Sequence, residues 1–234
     1  MTDTVCQCWT DDIWKFIHMT ARVSMLQSIN EKGAFLCLIG SINRIISCKA
    51  VEEAVNQFIE HPDNRFANFA NSNDRVFFWT HLLRNAICEV TGETPPSFNE
   101  LNNFYNPRTL TKDVWGPYGW RILHVIPLRA KMINGKLPQS IGITLKAFIT
   151  CVALLLPCPK CKKHAWEYYA THDIDHYLSS NLHVFQWTSA FHNAVNERLN
   201  KEEGYQKKLY TPEEALQLYV DVPAESRTMI RFKN

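Results

Sequence analysis

The chain lacks a dominant charge, a long apolar run and an abundance of glycine. Its 234 residues carry 25 Lys and Arg against 23 Asp and Glu, a net charge of +2. A balance so even removes the electrostatic argument for a nucleic-acid or membrane-surface partner. No apolar stretch approaches the roughly 20 residues that a membrane span needs. The opening stretch, MTDTVCQCWTDDIW, is acidic and has no apolar secretory segment, which leads to the expectation of a cytoplasmic protein. Glycine numbers only 8, and alternating β-type runs are few. What is present is helical periodicity, with hydrophobic residues at 46%, enough for a substantial core.

Eight cysteines are too sparse for a disulfide-stapled miniprotein. Four of them fall into two close pairs, Cys6-Gln7-Cys8 and Cys158-Pro159-Lys160-Cys161. The other four, Cys37, Cys48, Cys88 and Cys151, read as buried helix thiols, with a Cys37–Cys88 staple as an unsupported option.

The pattern predicts an all-α fold with helices over 11–29, 35–47, 50–61, 74–91 and 98–105. A second set follows over 112–131, 139–156, 159–171, 181–200 and 212–219. Ser97 with Glu100, and Thr211 with Glu214, fit capping boxes, and Pro157 separates two helices. The two sets echo each other. DDIW (11–14) matches KDVW (112–115), and FFWTHLLRNAICE (77–89) matches FQWTSAFHNAVNE (185–197). This predicts two four- or five-helix bundles, 1–106 and 107–234, packed as a pseudo-dimer. The polar positions diverge: Val51 stands where Cys161 stands, Arg84 where His192 stands, and Cys88 where Asn196 stands. One active half and one scaffold half would look like this.

Cysteines three apart on a helix share a face and are close enough for a disulfide. A helix N-terminus favours a thiolate at Cys158, and Lys160, Lys162 and Lys163 add positive potential. The spacing alone leaves three readings open. These are a redox-active pair, a zinc site completed by His164 and His172 in a non-enzymatic structural protein, or inert core thiols.

Three further stretches bear on that choice: VWGPYGWRILHVI (114–126), LLPCPKCKKHAWEYY (155–169) and WTSAFHNAVNERLNK (187–201). In this order they resemble the Erv/ALR family of FAD-dependent sulfhydryl oxidases, matching W-G-P-x-x-W-x-x-L-H, then C-x-x-C, then W-x-x-x-x-H-N-x-V-N-x-x-L-x-K at each fixed position. The resemblance implies a four-helix core with a short fifth helix and FAD at the mouth of the bundle. It implies electron flow from the dithiols of substrate proteins through Cys158–Cys161 and FAD to molecular oxygen, with release of hydrogen peroxide. Cys161 would lie against the isoalloxazine ring and Cys158 would exchange with the substrate. Trp115, Gly116, Tyr118, Trp120 and His124 would line the flavin, with His164, Trp166 and Tyr168 behind. His192, Asn193 and Asn196 would hold adenine and ribose, and Arg198 and Lys201 the pyrophosphate. No resident metal is implied. On the residues alone, His124 and His192 could equally be satisfied interior histidines. Trp120, Trp187, Phe191 and Leu199 read more simply as core.

The sequence departs from the family where many members carry a structural disulfide: Ser189 occupies one end and no cysteine follows Lys201. Family members often use a second, mobile dithiol, for which Cys6 and Cys8 are the candidates. The resemblance also suggests a large DNA virus as the source. That would mean action in the host cytoplasm or packaging in the virion, and it leaves open a further pairing of the chain with itself.

Overall fold

A computed structural model describes residues 8–220 other than 25 and 27. Cys6, one of the two shuttle candidates, lies outside the described residues. Ten α-helices, and no strand, occur among those described. They are α1 (Asp11–Val23), α2 (Ile29–Ile46), α3 (Lys49–Glu60), α4 (Asn73–Thr91) and α5 (Phe98–Phe104), then α6 (Lys112–Leu128), α7 (Gln139–Leu155), α8 (Pro159–Thr171), α9 (Asn181–Glu203) and α10 (Pro212–Val220). No described helix is long and apolar enough to cross a membrane.

Local chemistry sets most boundaries. The expected boxes at Ser97/Glu100 and Thr211/Glu214 both form, each with its two reciprocal bonds. A third, at Ser28/Glu31, corrects the expected helix over 11–29. The chain leaves α1 at Ser24, whose hydroxyl donates to the Leu155 carbonyl. The side-chain amide of Asn73 donates to the Arg22 and Ser24 carbonyls. Ser28 then starts α2 afresh, six residues ahead of the expected 35. Helices α4 and α9 share the same ends: serine N-caps at Ser72 and Ser180, and left-handed glycines at Gly92 (φ 72°) and Gly204 (φ 69°). Glycine takes that conformation without the Cβ penalty.

Within residues 8–106, α1 packs on α4 and α4 on α3; within 107–220, α6 packs on α9. Between these halves the closest partners are α2 with α7 and α1 with α6, which hold matching places in the order of each set. Arg121 of α6 meets Asp12 of α1 at 2.6 Å, with both side chains largely shielded from solvent. Lys162 of α8 meets Glu31 of α2 at 2.9 Å.

Interior details recur in both halves. The Trp79 indole N–H donates to the Asn64 carbonyl (2.7 Å), and that of Trp187 to the His172 carbonyl (2.9 Å). The buried His18 ring bonds Thr80 (2.9 Å), and the buried His124 ring bonds Thr188 (3.0 Å). Each threonine hydroxyl donates back to a carbonyl one turn earlier, Phe77 or Phe185. A tyrosine that ends or follows the last helix packs on each histidine, Tyr105 at 5.2 Å and Tyr219 at 4.7 Å between ring centres.

The lone cysteines depart from expectation. Cys88 and Cys151 are buried free thiols, but Cys37 is free and exposed, and Cys37 and Cys88 form no staple. Cys48 is half-buried at the N-cap of α3 and is disulfide-bonded.

Candidate functional site

The dithiol sits where the sequence places it. Leu155 ends α7, Pro157 prevents its continuation, and Cys158 becomes the N-cap of α8 with Pro159 at the first helical position. Cys158 and Cys161 are joined in a disulfide across a Cα separation of 5.1 Å. The backbone N–H of Cys161 points at the Cys158 sulfur (3.1 Å), so an otherwise unpartnered helix-end donor faces the atom that carries charge when the bond opens. Both cysteines are half-buried, within reach of solvent.

Each of the three nearby lysines has a carboxylate partner. Lys160 meets Glu203 of α9 at 3.0 Å, Lys162 meets Glu31 at 2.9 Å, and Lys163 meets Glu167 at 3.7 Å. Their positive charge is thus offset in part, and the helix end remains a support for the thiolate. The Lys162 ammonium, with the Ser28 cap, holds the Glu31 carboxyl down at about 2. Its ordinary value is 4.5, so the stabilisation is complete above that pH and is lost as pH falls toward 2. Replacing Glu31 with Gln should cost about 0.5–1 kcal/mol at neutral pH. Thermal melting of the two proteins should converge near pH 2.

Helix α8, whose first turn carries the dithiol, joins α6 and α9 in bringing aromatic rings together. The rings of Trp120 and His192 stack at 4.0 Å and 6°. His124 Nε2 lies 3.1 Å from His192 Nδ1. Because the Thr188 hydroxyl donates to Phe185, it accepts from His124 Nδ1–H; His124 Nε2 then accepts from His192 Nδ1–H. This relay leaves the lone pair on His192 Nε2. Burial, then the His192 neighbour, drives the His124 value well below normal; burial, then Lys207, brings His192 down to about 4. Both rings are neutral at pH 7. The unfolded chain binds these protons at its ordinary 6.5, so stability is full above that pH and falls as pH drops toward 4. A loss on the order of 2–3 kcal/mol is expected for His192 alone. A His192→Asn variant should show a flatter melting-temperature profile across that window.

Other expected flavin residues also make contacts within the protein. Asn193 and Asn196 spend their amides on the carbonyls of Tyr210 (2.7 Å) and Lys208 (3.1 Å). With Asn200, which the sequence reading missed, they lace residues 207–210 onto α9. Arg198 pairs with Glu202 on its own helix (3.1 Å), and Lys201 is exposed. Trp115 lines a cleft with Phe16, Met19, Leu155 and Pro157, directly behind the dithiol. Gly116 is half-buried on α6, and Tyr118 lies under the Lys15 ammonium at 5.6 Å. Tyr168 stacks on His172 (4.0 Å, 3°) and packs on Phe191, while Trp166 is 39% exposed. Trp187 and Phe191 are core, as their composition suggested.

Three buried polar atoms find no protein partner here: His164 Nε2, Arg198 Nε and Ser189 Oγ. Each unmet group costs about 1–3 kcal/mol. His164 lies one turn beyond Cys161, on the same face of α8. The His164 Nδ1–H donates to Glu167 (3.1 Å), so in its neutral form the ring offers Nε2 as an acceptor. Arg198 Nε–H and the Ser189 hydroxyl can donate. With the aromatic stack and the disulfide, this polar set fits a planar redox cofactor such as FAD. A metal is a poorer fit: no cluster of three or more His, Cys, Asp or Glu suited to one occurs among the described residues.

The corresponding place in the first half has the same frame with different chemistry. Arg84 covers Trp14 where His192 covers Trp120, and it is tied to Asp11 at 3.2 Å. The equivalent bonds of His18 and His124 thus match Trp14 to Trp120, a correction of the expected match of 11–14 with 112–115. With Arg84 in the place of His192, His18 Nε2 is buried and without a hydrogen-bond partner. Val51, at the position of Cys161, is core.

The Erv1/Alr family model matches residues 117–214. A protein of Invertebrate iridescent virus 3, named as a candidate FAD-linked sulfhydryl oxidase, is 35% identical over 88 residues, or 38% of this chain and 57% of its own length. The FAD-linked sulfhydryl oxidases of two African swine fever virus isolates, Warthog/Namibia and Tick/Malawi, are each 36% identical over 89 residues, 38% of this chain and 70% of theirs. No solved structure matches the chain. The dithiol, the Trp120–His124–His192 stack and this shared stretch carry one conclusion: the chain belongs to the Erv1/Alr family.

Proposed function

We propose that the chain is a sulfhydryl oxidase that makes disulfides in other proteins. The observation that carries this reading is the Cys158–Cys161 disulfide at a helix N-terminus, one turn from a buried His164 nitrogen with no protein partner. A substrate thiolate attacks Cys158, and the Cys158–Cys161 bond breaks. The second substrate thiolate attacks the sulfur now joined to Cys158, the substrate disulfide forms, and Cys158 leaves as a thiolate. The Cys161 N–H, aimed at that sulfur, stabilises the leaving charge. Two electrons now rest on the Cys158/Cys161 pair. FAD, when bound, supplies the acceptor for them and delivers them to oxygen, giving hydrogen peroxide.

Trp120 and His192 offer the flat surface for the cofactor, and the neutral relay through His124 fixes the His192 ring. His164, Arg198 and Ser189 supply polar atoms otherwise left unmet. In the same reading residues 1–106 are a duplicated bundle without a flavin site, retained as the scaffold that packs on α6 and α7. The placement in a host cytoplasm belongs to the proposal as well. So does the shuttle role of Cys6 and Cys8, of which Cys8 is buried.

Purification is the first test. A yellow protein with one FAD per chain, and oxygen uptake that depends on added dithiol, is expected. A colourless protein, or a coloured one inert to dithiols, would defeat the reading.

A further inference from the structure

Away from the redox dithiol, two other thiols lie on the helices that pack together where the halves meet. Helices α2 and α7 form the most extensive helix pair of the fold. They run antiparallel. Glu31, at the start of α2, meets Lys162 beyond the end of α7. The carbonyl of Ile45, near the end of α2, accepts from the Lys131 N–H ahead of α7 at 3.4 Å. Between these rungs, Cys37 within α2 and Cys151 near the end of α7 stand at the same level of the antiparallel pair, and the Cys37 thiol is among the groups that act on Cys151. Both are free. They differ in access: Cys37 is exposed, whereas Cys151 is 5% exposed. Burial, followed by the Cys37 contact, pushes the Cys151 thiol far above its ordinary value.

We propose that Cys37 and Cys151 are a second oxidisable pair, closing into a disulfide that joins the two halves when the chain meets a small-molecule disulfide. The order of events follows from access. The Cys37 thiolate attacks the small disulfide, one small thiolate leaves, and a mixed disulfide remains on Cys37. Cys151 loses its proton and attacks the Cys37 sulfur, the Cys37–Cys151 bond forms, and the second small thiolate leaves. The cysteines lose two electrons and two protons, and the small disulfide gains both as two thiols. Because Cys151 is held protonated by its burial, it resolves the mixed disulfide and does not initiate the exchange. The pair therefore stays reduced until an oxidant persists. Nothing in this step uses Cys158, Cys161 or a flavin, so it stands independently of the oxidase reading.

The test uses the full chain and a Cys158→Ser/Cys161→Ser version of it, each incubated with glutathione disulfide. Remaining thiols are blocked with a maleimide, and the unreduced digest is read by mass spectrometry. Both proteins should yield a peptide pair linked through Cys37 and Cys151, two hydrogens lighter than its separate parts, while buried Cys88 stays a thiol. The melting temperature should rise by about 5 °C or more, since the bond closes a long loop. A Cys151→Ala variant should stop at the glutathione adduct on Cys37 and lose the rise. Cys37→Ser, changed at an exposed position, should lose both adduct and rise. A stable glutathione adduct on Cys37 in the unmodified chain, or two untouched thiols, would overturn the proposal.

Discussion

Replacing Cys161 with Ala lowers thiol-dependent oxygen uptake by roughly a thousandfold or more, while FAD stays bound. Cys158 cannot work alone, because a single thiol has no internal disulfide for a substrate to attack and no partner with which to hold two electrons. The lost group acts as a unit with Cys158, so its removal should appear in kcat and not only in KM. The fold should tolerate the change. Cys161 is half-buried on the first turn of α8, and the helix keeps Pro159, its Cys158 N-cap and the Lys162–Glu31 pair. Steady-state oxygen consumption and the flavin-to-protein absorbance ratio check the two halves of the expectation. Loss of flavin with loss of turnover would mean that Cys161 holds the cofactor in place, a different role from the one assigned.

The second large effect lies in the half without a dithiol. Trp79 is fully buried, packs against Phe35, Phe58 and Phe66, and donates to the Asn64 carbonyl. Truncation to Ala removes those contacts and leaves a cavity, at a cost of about 3–5 kcal/mol. For a chain of this size that corresponds to a fall of roughly 10 °C in melting temperature. Turnover per bound flavin, measured well below the melting point, should not change, because no atom of Trp79 belongs to the catalytic half. Trp79→Phe keeps most of the packing and separates a folding failure from a functional one. A folded Trp79→Phe protein with reduced turnover per flavin would show that the first half takes part in the chemistry.

Which features could be read from the sequence depends on the distance over which each is decided. The end of α7, the cap at Cys158 and the boxes at Ser97 and Thr211 rest on residues three or four apart, and they form as expected. The break between α1 and α2 was hidden. The apolar pattern continues across it, and Ser24 is held by the Leu155 carbonyl, 131 positions away. The same separation hides the partners of two lysines. Lys162 is neutralised by Glu31 from the other half, and Lys160 by Glu203 from the far end of α9. No local pattern announces either carboxylate.

Asn193 and Asn196 teach a related lesson. Their placement on α9 beside His192 was foreseeable, but a side-chain amide serves a ligand or a backbone carbonyl equally well. Here residues 207–210 fold back along the helix, and the Tyr210 and Lys208 carbonyls accept from the two amides. The Trp120–His192 stack was legible as a cluster of candidates, not as a geometry. The contrast with Trp14 and Arg84 gives that cluster its meaning. Two similar frames hold opposite chemistry: a neutral histidine relay in one half, and a guanidinium tied to a carboxylate in the other.

The central claim is that electrons enter through Cys158–Cys161 and leave through a flavin bound beside it. Anaerobic rapid mixing with excess dithiol tests this most directly, with the visible flavin absorbance followed over time. The native chain should bleach completely in one turnover and regain its colour when air is admitted. Cys161→Ala should keep its colour throughout. Equal bleaching of both proteins, at equal rates, would contradict the account, because electrons would then be reaching the flavin without the dithiol.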